Sequence, residues 1–280
     1  MTRATLAEVL QPALAGGYAV PGFVCLGWED ARAYAQAAEA ERAPVILQAG
    51  PGARAHMPVT VWGAMFQALA ESVKVPVVAH LDHGADLEEC RAGLEAGFTS
   101  VMFDGSRLPL EENIRQTAEV ARMAHHAGIS CEGEIGFVGY AEGVASQGTD
   151  PEEAARFAAE TGVDALAVSV GNVHLQRQAG AGLDLARLSA IEARTAVPLV
   201  IHGGSGVPLA QRAELAAGSR IAKFNIGTEL RQTFGNALRA TLAQDRDVFD
   251  RIAILRQTEG PLTERAGQIL RNLGASGRAG

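Results

Sequence analysis

The sequence predicts a parallel (β/α)8 barrel, or TIM barrel, because short apolar runs alternate with helical segments eight times along the chain. Three of the runs share one lead-in, in which a proline precedes the residues of a buried strand: RAPVIL, KVPVVA and AVPLVI. The main structural rival is an open doubly wound sheet, which usually carries a glycine-rich fingerprint after its first strand. Pro21-Gly22-Phe23 is not such a fingerprint, and this favours the closed barrel.

Each predicted strand is a short run of apolar residues, and the runs are, in chain order, residues 19–24, 44–48, 76–81, 99–103, 129–135, 164–170, 197–202 and 220–225. Each predicted helix is rich in Ala, Glu and Arg with apolar residues at helical spacing. The helices are predicted at residues 29–42, 58–73, 86–96, 111–127, 151–161, 184–195, 208–217 and 228–243. Asp86, Asp150 and Asp184 stand at N-cap positions, and Pro151 stands at a first helical position.

We expect residues 1–280 to form a single (β/α)8 barrel domain in which residues 244–280 are a C-terminal helical extension. No linker or low-complexity stretch divides the chain before its Gly-, Ala- and Arg-rich end. The segment MTRATLAEVLQPALAGG lacks the pattern of a signal peptide and is predicted to be a first helix. The helical tail is predicted to be free to pack on a neighbouring copy of the chain.

Charge and composition exclude several classes of partner. The chain carries 24 basic and 32 acidic residues without a basic cluster, so nucleic acid is not an expected partner. No apolar run reaches the roughly 20 residues that a membrane span needs, so no membrane partner is expected. The three cysteines are odd in number and far apart, which argues against a disulfide framework and favours a reducing cytoplasm: Cys25, Cys90 and Cys131.

Polar side chains follow six consecutive predicted strands, at the carboxyl ends where barrels carry their chemistry. These side chains are His80, Asp82, His83, Asp104, Glu132, Glu134, Asn172, His174, His202 and Asn225.

Three histidines in this set predict a zinc site. Catalytic zinc takes three protein ligands and keeps a fourth position open, and His83, His174 and His202 end three different strands. Taken singly, a strand-end histidine is more often a hydrogen-bonded or surface residue, but three at the same height beside carboxylates favour a metal. His80 is given no ligand role.

The glycine-rich stretch after the seventh strand predicts a phosphate site. Gly203 and Ser205 lie in GGSG, where backbone N–H groups can turn toward an anion, and a helix N-terminus follows. The next loop supplies Asn225 and Thr228, and phosphate sites in such barrels commonly lie after strands seven and eight. The alternative is that GGSG is only a tight turn.

These motifs resemble a family, the class II metal-dependent ketose-bisphosphate aldolases, which include fructose- and tagatose-bisphosphate aldolases. The resemblance extends in order over nearly all of residues 1–243. It is carried by HLDHG, SVMFDGS with LPLEENI, CEGEIG, DPEEAARFAAETGVDALAVSVG, PLVIHGGSG and KFNIGTEL.

The resemblance implies that the three histidines hold a catalytic zinc. It implies that Asp82 transfers a proton at the acceptor oxygen, and that Glu142, in FVGYAEGVASQG, removes the proton of the donor. Asp104 and Glu134 match groups near an alternative metal position, which leaves room for a second or a monovalent cation. The residues that match contacts to the donor and its phosphate are Gly203, Ser205, Asn225 and Thr228.

The sequence departs from the family pattern at several places. Leu175 stands where the family has glycine, and Gln178 lies near the position of a family lysine. FVCLGWE replaces an asparagine-rich FNxxN pattern, and Gly50 replaces a serine that meets the far phosphate. These changes cluster on the aldehyde side, where the candidate contacts are Gly50, Arg54 and His56.

The first functional hypothesis is therefore a zinc aldolase that cleaves a ketose 1-phosphate to dihydroxyacetone phosphate and an atypical aldehyde, such as a sulfonated or deoxy one. The alternatives are an ordinary fructose or tagatose 1,6-bisphosphate aldolase, a Schiff-base aldolase that uses Lys223, and a non-catalytic assembly subunit. The expected partner is a phosphosugar, and the family habit is a homodimer or homotetramer.

Overall fold

The computed structural model describes residues 2–139, 145–176, 180 and 182–279. Within them, eight parallel strands close into a barrel in the order β1 to β8, and the predicted fold class is confirmed. The strands are β1 (Val20–Val24), β2 (Val45–Ala49), β3 (Val77–Gly84), β4 (Ser100–Phe103), β5 (Ser130–Ile135), β6 (Ala165–Val168), β7 (Leu199–Ile201) and β8 (Ile221–Ile226).

The helices lie outside the barrel or at its ends. They are α1 (Leu6–Gly16), α2 (Trp28–Glu41), α3 (Pro51–His56), α4 (Val59–Ser72), α5 (Leu87–Glu95), α6 (Leu110–His126), α7 (Pro151–Thr161), α8 (Leu185–Glu192), α9 (Leu209–Gly218), α10 (Thr228–Gln244) and α11 (Arg251–Asn272). A 3-10 turn at Gly204–Gly206 follows β7. The sequence analysis did not predict α3 or this turn.

The helix starts follow the capping residues of the sequence. The carboxylates of Asp86, Asp150 and Asp184 each accept a hydrogen bond from a backbone N–H in the first turn of the next helix. Thr5 and Glu8 form a capping box at the start of α1. Helix α1 lies at the amino ends of the strands, where Ala7 N–H donates to the hydroxyl of Ser130. The carboxyl ends of the strands are therefore on the opposite side of the barrel.

The barrel interior contains charged groups. Lys223 on β8 and Glu132 on β5 are both fully buried, and Lys223 Nζ lies 2.6 Å from Glu132 Oε2. Because β8 and β5 are separated by two strands on one route around the closed sheet and by four on the other, this pair spans the inside of the barrel. Removing either residue of a buried ion pair is strongly destabilising, because the other charge is then left buried and unpaired.

The C-terminal helix packs on its own chain, which corrects the expectation of a tail free to pack on a neighbour. Leu262, Ile269 and Leu270 of α11 are buried, and α11 contacts α2 and α10. Phe249 and Ile252, where α11 begins, are 93% and 66% exposed and keep an apolar surface open. No helix in the described part of the chain has the length and apolar character of a membrane span.

Candidate active site

The end of β3 leaves the regular ladder, and this places His83. The register between β3 and β4 shifts between Leu81 and Gly84, and His83 between them has a φ of 52°. That left-handed conformation costs a non-glycine residue about 1–2 kcal/mol, so the surrounding structure must hold it. Nδ1 of His83 lies 2.7 Å from Oδ2 of Asp104, which orients the imidazole ring.

Three imidazoles converge at the rim, as the sequence analysis predicts. The ring centroids of His83, His174 and His202 are 4.6–5.6 Å apart. Each residue offers one ligand atom, and these atoms lie within 4.8 Å of one another. This donor set fits the three-nitrogen arrangement of a catalytic zinc site.

The environment of His202 also fits a cation. Its Nδ1 lies 3.2 Å from Oε2 of Glu134, yet both atoms are buried and neither has the geometry of a hydrogen bond. Burial lowers the pKa of His202, but the charges of Glu134 and Glu132 outweigh it and raise the pKa to about 10. A metal ion at Nδ1 would therefore displace a proton, as is usual for metal binding.

A second group of ligand atoms shares His83. It joins His83 to Asp104 and Glu134, whose oxygens suit harder cations than zinc. Burial raises the pKa of Asp104, but the hydrogen bond with His83 outweighs it and holds the pKa well below its usual range. Because both groups use the imidazole of His83, they lie next to each other, and the alternative cation position that the resemblance implies stays a prediction.

Glu132 and Lys223 support the histidines from inside the barrel. Glu132 Oε1 lies 3.2 Å from Nε2 of His202, while its other oxygen is paired with Lys223. Glu132 thus fixes the ring of His202, whose Nδ1 lies on the side of Glu134. His80 is fully buried, with Nδ1 2.9 Å from the hydroxyl of Ser100 and Nε2 3.3 Å from Lys223 Nζ. His80 therefore contacts the residues that support the histidines, and it is in neither group of metal-ligand atoms.

Asp82 lies beside the histidines as a buried carboxylate. It is 5% exposed, and Nδ2 of Asn225 lies 3.3 Å from its Oδ1. Burial raises the pKa of Asp82, but the charges of His83, His202 and Lys223 outweigh it and lower the pKa below its usual value. Asp82 is thus held as an ionised base at neutral pH.

The glycine-rich stretch after β7 forms the other wall. Gly203 has a φ of 64°, and a Cβ there would lie 2.2 Å from the carbonyl oxygen of Val173, so only glycine fits. The hydroxyl of Ser205 accepts hydrogen bonds from Gly227 N–H and Glu229 N–H, both at 3.3 Å. Ser205 is thereby fixed at the N-terminus of α10, where the helix dipole favours an anion.

One cavity of about 320 Å³ joins the two walls. The predicted residues that line it are Gly50, Asp82, His83, His174, Gly203, Ser205, Asn225 and Thr228. The metal group and the anion site are therefore brought together in a single space.

Five of the predicted residues that the structure describes do not line this cavity, and three of them, Asp104, Glu134 and His202, belong to the groups of metal-ligand atoms beside it. Arg54 is turned behind the site, where it contacts backbone carbonyls and Glu89. His56 lines an adjoining cavity of about 450 Å³. Glu142, together with the departure at Gln178, lies outside the described residues.

The sequence analysis missed Gln48 and Arg231. Gln48 lines the cavity and is fully buried, and neither its amide nitrogen nor its amide oxygen has a hydrogen-bond partner among the described residues. Arg231 lines both cavities. The sequence indicates both residues. Gln48 ends the second predicted strand, at the rim that carries the other site residues, and Arg231 lies three residues after Thr228 on the same helix face.

Leu175, next to His174, also adopts a left-handed conformation, with a φ of 55°. Glycine adopts this conformation without strain, so Leu175→Gly is expected to raise the free energy of unfolding by about 1 kcal/mol. Thermal unfolding measures this as a rise in Tm of about 2–4 °C. The control is Leu242→Gly in helix α10, which should lower Tm instead. A fall in both variants would contradict the interpretation.

A closed parallel barrel that brings three convergent imidazoles, a buried carboxylate and an anion site to one rim fits the metal-aldolase class. The comparisons agree with this class. The family model for "Fructose-bisphosphate aldolase class-II" matches residues 4–278. The chain belongs to the class II fructose-bisphosphate aldolase family, and it is an aldolase.

Relatives cover the whole chain. A fructose-bisphosphate aldolase of Geobacillus stearothermophilus is 38% identical over 100% of this chain and 99% of its own. A 6-phospho-5-dehydro-2-deoxy-D-gluconate aldolase of Halalkalibacterium halodurans is also 38% identical, over 100% and 99% of the two chains. The crystal structure of the YdjI aldolase from Escherichia coli K12 superposes with a TM-score of 0.86 at 31% identity, covering 99% of both chains. Relatives of equal similarity thus carry different substrate names.

Proposed function

We propose that this aldolase cleaves a ketose 1-phosphate reversibly to dihydroxyacetone phosphate and an aldehyde, with zinc held by His83, His174 and His202. The observation that carries the proposal is the single cavity lined by His83, His174 and the residues that begin α10. A phosphorylated ketone bound across it would place its phosphate at the start of α10 and its carbonyl at the histidines. Family membership supports the same reaction.

The chain's own residues supply the proton transfers. Zinc at the three histidines would act as a Lewis acid toward the donor carbonyl. In cleavage, Asp82 accepts the proton of the acceptor hydroxyl as the carbon–carbon bond breaks and the aldehyde forms. Asn225 orients that carboxylate through the contact at 3.3 Å. Glu142 is proposed to return a proton to the donor carbon, and to remove it in the synthetic direction.

The two polar amides in the cavity suit a hydroxylated substrate. Gln48 Oε1, Gln48 Nε2 and Asn225 Oδ1 are buried and have no hydrogen-bond partner among the described residues. Leaving such atoms unpaired costs about 1–3 kcal/mol each, which a ligand with hydroxyl groups would recover. This supports a sugar phosphate over an apolar substrate at the centre of the cavity.

The departures from the family pattern along the cavity support an atypical aldehyde. Val24, Leu26 and Gly50 line the cavity, which therefore carries apolar surface and no hydroxyl at position 50, and Val24 also packs beside Gly227 at the start of α10. The adjoining cavity shares Val24, Leu26 and Arg231 with the first and also contains His56. We propose that the aldehyde carries a group other than phosphate, such as a deoxy or sulfonated end, and that Arg231 and His56 replace Arg54 as its candidate contacts.

The substrate prediction follows from the departures from the family pattern on the aldehyde side. A C1 phosphate should be required, while fructose 1,6-bisphosphate should be a poor substrate, because Gly50 lacks the hydroxyl that the family pattern offers to the second phosphate. The measurement is kcat/KM for retro-aldol cleavage of fructose 1,6-bisphosphate and of C6-modified ketose 1-phosphates, with dihydroxyacetone phosphate detected. A preference of tenfold or more for the bisphosphate, about 1.4 kcal/mol, would instead make this an ordinary bisphosphate aldolase.

The remaining hypotheses have less support. Lys223 is fully buried and ion-paired with Glu132, and it does not line the cavity, so it is poorly placed to form a Schiff base. Asp82 and the three histidines stand together in a cavity, which a non-catalytic subunit does not require. We also propose a cytoplasmic homodimer or homotetramer. Its support is the exposed apolar surface at Phe249 and Ile252, and size-exclusion chromatography with light scattering tests it.

A further inference from the structure

Arg54, on the short helix α3, has an unusual set of contacts directly behind the cavity. Its side chain is 5% exposed. Nη1 donates to the carbonyl oxygen of Asp82 at 2.6 Å and also to that of Ala49, and Nη2 donates to the carbonyl oxygen of His83 at 3.0 Å. The guanidinium thus ties the end of β2 to the irregular end of β3.

The two β3 carbonyls that it holds define the backbone of one residue. The carbonyl of Asp82 belongs to the peptide plane before the His83 Cα atom, and the carbonyl of His83 belongs to the plane after it. The rotation of these two planes about Cα is the φ and ψ of His83. His83 is the residue with a left-handed φ of 52°, at the register shift between β3 and β4. One guanidinium therefore holds both halves of a strained conformation.

Glu89 keeps the guanidinium in place. Its Oε1 accepts from Nε of Arg54 at 2.9 Å, and its Oε2 accepts from the backbone N–H of Ala85 at 2.8 Å. Ala85 follows Gly84 at the end of β3, so Glu89 connects the arginine to the chain beyond His83 as well. The two side chains therefore hold the backbone on both sides of His83.

We infer that Arg54 is a positioning residue, which holds His83 in its left-handed conformation and thereby places the imidazole in the metal group and Asp82 in the cavity. The inference rests on the proposed zinc site. It assigns Arg54 a role on the backbone of the site in place of a contact with the aldehyde. A lysine cannot serve, because one ammonium cannot reach acceptors on two strands in the planar fork that a guanidinium offers.

The test is zinc affinity, measured on metal-stripped protein by competition with a chelating dye, for the unmodified chain and for Arg54→Lys. Loss of a group that orients a metal ligand typically lowers affinity by about 10–100-fold, and this loss is expected for Arg54→Lys. The matched control is Arg220→Lys, because Arg220 also donates to a backbone carbonyl, that of Ala196, but at the amino end of the barrel. The control should bind zinc as the unmodified chain does.

Further readouts separate positioning from a general loss of structure. Arg54→Lys should lower kcat while KM for the ketose phosphate changes little, because the anion site after β7 is untouched. Glu89→Gln, which keeps its shape, should shift zinc affinity in the same direction by a smaller factor, and it replaces Arg54→Lys if that variant does not fold. Unmodified zinc affinity and kcat in folded Arg54→Lys would overturn the inference alone. Absence of zinc binding by the unmodified chain would overturn the proposed zinc site, and the inference with it.

Discussion

Removal of metal by a chelator is expected to abolish aldolase activity, and added zinc is expected to restore it. Cleavage beside a ketone needs an electrophile at the carbonyl, which aldolases obtain from a lysine Schiff base or from a metal. No lysine lines the cavity in the described part of the chain, whereas His83 and His174 do. His202 completes the ligand set from its buried position. The measurement is activity together with protein-bound zinc, before and after treatment.

A variant separates metal loss from side effects of the chelator. His174→Ala removes one of the three imidazoles. His174 is not among the residues whose backbone carbonyls Arg54 contacts, so the variant tests the ligand without disturbing those contacts. It should bind less zinc and lose activity by the same factor at limiting zinc. Full activity in the stripped protein, with substrate trapped on Lys223 by borohydride, would contradict the zinc hypothesis and favour the Schiff-base alternative.

The barrel and the three histidines could be predicted because simple rules determine them. Strands buried on both faces appear as continuous apolar runs, and the carboxyl ends of parallel strands share one rim. The predicted and observed strands agree to within two residues at most ends, although β6 and β7 are shorter than predicted. The rim at which the histidines meet could therefore be predicted, although His83 and His174 reach it through irregular backbone.

The irregular parts could not be predicted in the same way. The residues PGARAH of helix α3 have the composition of a turn, and their helix begins only because Pro51 follows an extended Gly50. The contacts of Arg54 depend on carbonyls that become free only where β3 leaves its ladder, and no periodicity encodes that shift. A sequence pattern indicated that Arg54 lies near the site, but only the tertiary structure shows which way it points.

Lys223→Met is expected to destabilise the folded protein by about 3–5 kcal/mol, which is typical of breaking a buried ion pair from one side. Methionine fills a similar volume but leaves Glu132, which is fully buried, without the ammonium 2.6 Å away. Burial raises the pKa of Glu132, but the charge of Lys223 outweighs it and holds the pKa well below its usual range. The stabilisation is therefore present above the pKa of an unfolded glutamate, about 4.3, and is lost as pH falls below it.

Urea unfolding at pH 7 measures the difference, and two further variants interpret it. The control is Lys74→Met at the chain's other lysine, which is exposed and should change the free energy of unfolding by less than about 0.5 kcal/mol. The double variant Lys223→Met/Glu132→Gln should regain part of the loss, because a neutral amide keeps a hydrogen-bonding group beside His202 without a buried charge. If the free energy of unfolding of the double variant falls by the sum of the two single losses, the two side chains do not act as a pair. In that case the buried lysine would stabilise the barrel through its packing.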